Sequence, residues 1–155
     1  MSPVSFSCKI SLPQMPDEIA DQILDVTNWT DFRGYGPLPG IKSANFEVKV
    51  PDVVGSRIRV QNTDGSSHVE EITVWDLPTS LQLRMAEFSV PLSWLATGID
   101  EIWEFNRLND STHVVRSFRL HARSALTRPL LWLISKLLKR AVDRHLVQIG
   151  NALQT

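Results

Sequence analysis

Residues Thr127 to Leu153 carry an apolar stripe at helical spacing, and this stripe constrains the fold more than any other feature of the chain. Leu130, Leu133, Ile134, Leu137, Leu138, Ala141, Val142 and Ile149 share one face, with Lys136, Lys139, Arg140 and Asp143 clustered opposite. Thr127 suits the N-cap, and Pro129 falls in the first turn, where a missing N–H does no harm. At ~1.5 Å of rise per residue the helix is about 40 Å long. In a chain of 155 residues, only a sheet that wraps around such a rod can cover its apolar side.

The preceding residues supply that sheet. Val4, Phe6, Cys8 and Ile10 alternate with Ser5, Ser7, Lys9 and Ser11, which is the pattern of a half-buried strand. Pro13 and Pro16 end its pairing. Pro16, Asp17 and Glu18 suit the first turn of a helix with Ile19, Ile23, Leu24 and Val26 as its apolar stripe, and Asn28 to Phe32 reads as a second short helical turn. The segment Gly34 to Gly40 holds too many breakers for regular structure. Six strands are expected near 41–50, 56–62, 67–76, 80–88, 99–108 and 111–121, with a longer connection over Ser89 to Thr97. The turns are too short for crossovers, so the strands pair antiparallel. The expected architecture is α+β over a single domain, residues 1–155: strand, two short helices, a six-stranded antiparallel continuation and the long C-terminal helix. A curved sheet and a cylinder do not mate along their whole length, and the gap predicts an internal hollow.

Register can be tested in the sequence. A two-residue turn at Asn109-Asp110 pairs Trp103 with Arg116, Phe105 with Val114 and Glu101 with Phe118, so the apolar phases agree. At Asp64-Gly65, a three-residue loop pairing Ile58 with Ile72 and Val60 with Glu70 keeps Ile58, Val60, Ile72 and Val74 on one face.

Apolar residues make up 43% of the chain and charged residues 21%, as in a globular domain able to bury its own core. The lone cysteine, Cys8, reads as a buried free thiol. No Cys/His cluster has metal-ligand spacing, and neither metal nor cofactor is expected. The N-terminus lacks the basic and apolar regions of a signal peptide, which makes the cytoplasm the expected compartment. Net charge is −1, but residues 112–155 hold eight Lys/Arg against one acid, an excess of +7 that leaves −8 for the rest. A solvated basic helix or attraction to an anionic partner explains that split. No nucleic-acid motif is present.

Several segments resemble the polyketide cyclase/dehydrase and lipid-transport superfamily, known as SRPBCC or START-like. They are Ile10-Ser11-Leu12-Pro13, then Leu24-Asp25-Val26-Thr27-Asn28-Trp29-Thr30-Asp31-Phe32, then Pro39-Gly40-Ile41, Gly55-Ser56-Arg57, Glu70-Glu71-Ile72 through Trp75-Asp76, and Trp103-Glu104-Phe105. The resemblance covers almost the whole chain and implies a helix-grip fold. It is a likeness of fold signatures, and the family spans carriers, receptors, allergens, cyclases and chaperone activators, so it does not select one activity.

The fold places a set of residues toward the hollow. From the short helices and the loop these are Trp29, Phe32 and Tyr35, the last a candidate gate. The sheet contributes Ile58, Val60, Glu70, Ile72, Leu83 and Met85, then Glu101, Trp103, Phe105, Arg116 and Phe118. The helix adds Leu130, Leu133, Ile134 and Leu137. An inward Arg116 is costly unless paired, and stacking on Trp103 with an ion pair to Glu101 would satisfy it. Arg116 is also a candidate to hold a ligand carboxylate or carbonyl. Glu70 and His68 share a strand face and are candidate base and acid. His121 and His145 read as edge or interface histidines. Trp132 falls with Lys136 and Lys139, and with Trp94 it offers a surface for anionic membrane or for a second copy of the chain.

Three functions follow, in this order. The first is binding of a small hydrophobic ligand such as a lipid, polyketide or isoprenoid, for carriage or sensing. The second is a metal-free cyclase or dehydratase using Glu70, His68 or Arg116. The third is a protein-interaction or membrane-surface module.

Overall fold

The computed structural model describes residues 1–153, and the last two residues of the expected 1–155 domain lie outside the described residues. The alternating segments become seven strands: β1 (Val4–Leu12), β2 (Ile41–Val48), β3 (Arg57–Asn62), β4 (Ser67–Asp76), β5 (Ser80–Ala86), β6 (Ala96–Leu108) and β7 (Ser111–Ala122). They form one antiparallel sheet in the order β1-β7-β6-β5-β4-β3-β2. Strands β1 and β2 are thus the two edges. Helix α1 (Pro16–Leu24) and a 3₁₀ turn (Val26–Asp31) carry the chain from one edge to the other. Helix α1 starts as the sequence predicts, with Pro16 in the first turn and Glu18 accepting from the Met15 backbone N–H. A single turn, α2 (Leu92–Leu95), interrupts the connection before β6, and α3 (Arg128–Leu153) closes the fold.

The β6–β7 hairpin has the predicted register, with Trp103 opposite Arg116 and Phe105 opposite Val114. Asn109 takes φ +57, the left-handed conformation that a two-residue hairpin turn requires. The β3–β4 register differs from expectation. The loop is Thr63 to Gly65, closed by Asn62 N–H to Ser66 O at 2.8 Å, so Ile58 faces Glu70 and Val60 faces His68. Gly65 at φ +89 supplies the turn one residue earlier than predicted. The slip is two residues, which preserves the inward set of Ile58, Val60 and Ile72. Val74 is the exception. A bulge between Ile72 and Val74 brings Trp75 opposite Leu81 and packs it against the core, which leaves Val74 outside it.

Helix α3 is rotated from the predicted face. Its buried residues are Leu131, Ser135, Leu138, Ala141, Val142, Leu146, Ile149 and Gly150. Leu130 and Leu133 are exposed, the latter at 54%. The helix approaches β1 closely: an added Cβ at Gly150 would lie 3.0 Å from Leu12, and Lys139 Nζ donates to Ser7 O at 3.0 Å. Small side chains must face that contact. Ser135 qualifies because its hydroxyl is already satisfied by Trp132 O at 2.6 Å. Cys8 lies buried at the same contact, where burial pushes its thiol up to about 11, so it stays protonated.

The rotated face has a direct consequence for stability. Leu146→Ala should cost ~2–5 kcal/mol in urea unfolding, whereas Leu133→Ala should change stability by less than about 0.5 kcal/mol. A larger cost for Leu133→Ala than for Leu146→Ala would mean that the helix is seated as the sequence stripe suggests.

Candidate functional site

The curved sheet and α3 part at one end and leave a cavity of about 350 Å³, which falls in the usual size range for a small-molecule site. Its walls are mostly apolar. Ile23, Trp29 and Phe32 line it from the short helices, and Pro37, Leu38 and Pro39 from the breaker-rich loop. Leu83, Met85, Ile99, Trp103 and Phe118 come from the sheet, and Ile134, Leu137, Leu138 and Ile149 from α3. Phe88, Pro91, Leu92 and Leu95 close one side. Trp29 is locked by Nε1–H donation to Ile23 O at 2.8 Å.

Six ionisable side chains interrupt this lining: Asp64, His68, Glu70, Glu101, Arg116 and His145. Glu101 on β6 and Arg116 on β7 lie diagonally across the hairpin, as its register requires. Arg116 Nε donates to Glu101 Oε2 at 2.7 Å, and Trp103 Nε1–H donates to the same oxygen at 2.7 Å. The guanidinium lies 4.4 Å from the Trp103 ring centre, a cation–π contact within the sheet. Its Nη1 reaches α3, where it donates to His145 Nδ1 at 2.9 Å. Phe32 meets His145 edge-on, with ring centres 5.5 Å apart. On β4, His68 Nε2 lies 2.9 Å from Glu70 Oε2. These side chains form a polar floor under an apolar chamber.

Burial acts on the protonation of His145 and Glu101. His145 is pushed down to about 3, by burial first and by the adjacent Arg116 charge second, so it is neutral near pH 7. The Glu101 carboxyl is raised, chiefly by burial; Arg116 opposes that shift and the Glu70 charge adds to it.

The structure distributes the sequence candidates unevenly. Trp29, Phe32, Glu70, Leu83, Met85, Glu101, Trp103, Arg116, Phe118, Ile134 and Leu137 lie on the cavity wall, together with His68. Ile58, Val60, Ile72 and Phe105 are instead buried in the packed core. Leu130 and Leu133 point outward, because α3 is rotated. Tyr35 does not line the cavity: its ring lies near the Arg140 and Arg144 guanidiniums, at 5.5 and 4.8 Å, and its hydroxyl accepts from Arg140 at 3.3 Å. The residues beside it, Pro37 to Pro39, form the wall. His145 is the functional residue that the sequence reading misplaced as an edge or interface group. Its spacing from Leu138, Val142 and Ile149 puts it on the inward face, and that signal was available.

The outer surface near the start of α3 is unusually apolar. Trp94 is 65% exposed and Trp132 46%, with Leu126, Leu130 and Leu133 also exposed. Lys136 Nζ lies 4.7 Å above the Trp132 ring. Lys139 leaves that group, since it is tied to Ser7 O and Asp143. No helix among the described residues is long and apolar enough to cross a membrane.

A seven-stranded antiparallel sheet gripping one long C-terminal helix defines the helix-grip class of α+β folds. Solved structures of this class superpose on almost the whole chain. A START superfamily protein from Mycobacterium smegmatis is 11% identical, over 96% of this chain and 98% of its own, with a TM-score of 0.72. The Zhui aromatase/cyclase from a Streptomyces species is 12% identical over 97% and 93%, with a TM-score of 0.71. The protein Ara h 8.0201 is 12% identical over 97% and 98%, with a TM-score of 0.70. At such identities the likeness is one of fold. No family model matches the chain, and no curated protein matches it.

The His145 shift has a testable sign. Its folded-state pKa lies below the ordinary 6.5, so the neutral ring contributes stability that is present above that pH and is lost as pH falls toward about 3. Glu101, raised rather than lowered, works in the opposite direction above its ordinary 4.5. Comparison with His145→Asn isolates the histidine. The stability advantage of wild type over the variant should shrink on acidification below pH 6.5, with a limiting slope of about 1.4 kcal/mol per pH unit. A pH-independent difference in urea titrations would contradict the buried neutral imidazole.

Proposed function

We propose that this chain binds a small hydrophobic molecule in the hollow between the sheet and α3, for carriage or sensing in the cytoplasm. The observation that carries this reading is the cavity itself: about 350 Å³ and lined mostly by apolar side chains, with Glu70, Glu101, Arg116 and His145 gathered at its floor. That division suits an amphipathic ligand whose apolar body displaces water and whose single polar end meets the floor. The Arg116 guanidinium is already neutralised by Glu101. The floor thus orients a ligand without relying on an unpaired buried charge at that position.

A neutral dye, Nile red, tests the site without favouring either sign of charge. Ile134→Trp fills the cavity from α3, where the side chain is only partly buried and the backbone is regular helix. The expected result is saturable dye binding by wild type and at least a tenfold loss in the variant, with melting temperatures within a few degrees. Unchanged dye affinity in a folded variant would contradict the reading.

A second reading is supported by the His68–Glu70 contact on the cavity wall. An adjacent imidazole and carboxylate can exchange a proton with a bound carbonyl compound, as a metal-free cyclase or dehydratase requires. It ranks second because the His68 ring is spent on Glu70 and Asn62.

The exposed Trp94, Trp132, Leu126 and Leu130, with Arg123 and Lys136 among them, favour an anionic membrane as the place of loading. Vesicles containing phosphatidylserine should float the protein at low salt, and Trp132→Ser with Trp94→Ser should abolish flotation. Flotation unaffected by these changes, or none at all, would remove this surface from the account.

A further inference from the structure

We infer that the cavity selects an apolar ligand whose polar end is a cationic amine. This rests on the binding reading above and names the chemical class of its ligand. Negative charge outnumbers positive on the cavity wall. The ionisable groups on the cavity wall include three carboxylates, Asp64, Glu70 and Glu101, and one guanidinium, Arg116, with no lysine among them. The basic side chains of α3, among them Lys136, Arg140 and Arg144, are not part of the wall.

The two histidines do not restore the balance, because the Nδ1 of each faces a nitrogen that can only donate. Arg116 Nη1 can only donate, so His145 Nδ1 is an acceptor and the ring proton sits on Nε2. The same logic holds for His68. Ser66 Oγ donates to Asp64 Oδ1, so it must accept from Asn62, and this orients the Asn62 amide with its NH₂ inward. That NH₂ lies 3.4 Å from His68 Nδ1, which leaves the His68 proton on Nε2, directed at Glu70 Oε2. Glu101 is paired with a cation, whereas Glu70 is paired with a neutral ring.

Glu70 is 4% exposed. Its second oxygen, Oε1, has no hydrogen-bond partner among the described residues and is not among the fully enclosed unpaired atoms, so it keeps surface on the cavity. A buried carboxylate without a counter-charge is costly. A ligand ammonium supplies the missing charge and up to three donors. A ligand carboxylate would instead enter beside Glu70 and Glu101, and Arg116 could offer it chiefly Nη2, because Nε and Nη1 already donate to Glu101 and His145. The upward shift of Glu101, to which Glu70 contributes after burial, has the same origin.

Three probes with one tail separate the alternatives: decylamine, decanol and decanoate, each competing with Nile red near neutral pH. Decylamine should bind at least tenfold more tightly than decanoate and more tightly than decanol. Glu70→Gln should reduce the amine-to-carboxylate ratio at least fivefold. Equal or tighter binding of decanoate, or a ratio unchanged in a folded Glu70→Gln protein, would overturn the inference and leave the cavity reading standing. Failure of all three probes to displace the dye would overturn both. The wild-type ranking decides the question even if the variant does not fold.

Discussion

The organisation of this molecule depends on one buried guanidinium. Arg116 lies on β7, one strand in from the sheet edge, and is 6% exposed; such a charge is tolerated only where its surroundings satisfy it. Glu101 supplies the counter-charge, Trp103 a ring face, and His145 an acceptor from the opposite layer. The first two partners depend on the β6–β7 register, and the third on how α3 is seated. Sheet and helix are therefore coupled through a polar contact at the place where apolar packing between them gives way to the cavity. Burial, reinforced by that contact, keeps His145 neutral, and the contact gives the chamber a floor that can orient a bound molecule.

Around that centre the two kinds of packing divide the molecule. Near β1, small residues on α3 let the helix approach closely, and Leu131, Leu138, Val142 and Leu146 fill the contact. Toward β4 and β5 the curvature of the sheet carries it away from the helix, and Ile134, Leu137 and His145 look across the cavity. The 3₁₀ turn and the Gly34–Gly40 loop roof this space. Tyr35 ties the loop to Arg140 and Arg144 on α3. The loop is thereby tied to the helix in this arrangement.

The sequence disclosed what periodicity controls and concealed what small local choices control. Alternation and turn chemistry were enough to define the hairpin around Asn109, and with it the meeting of Trp103, Glu101 and Arg116. The resemblance to START-like proteins and the order of elements pointed to the fold now seen in the solved structures. The turn at Gly65 and the bulge after Ile72 each hang on the placement of one residue, and alternation alone does not register them. The seating of α3 was misread because Leu130 and Leu133 extend the apolar stripe, while Ser135 and Gly150, whose small size lets β1 approach, do not look apolar. His145 was missed for a related reason: residue type was weighed above its angular position on the helix. The cavity walls supplied by Phe88 to Leu95 lay in a connection that no repeating pattern describes.

The most direct test of this account is a long-range ¹⁵N–¹H correlation spectrum of the imidazole rings near neutral pH, with His145 assigned through His145→Asn. The account predicts a neutral His145 ring protonated at Nε2, its bare Nδ1 sharing a hydrogen with a slowly exchanging Arg116 guanidinium. A doubly protonated His145, or an Arg116 side chain exchanging at the rate of bulk solvent, would contradict it.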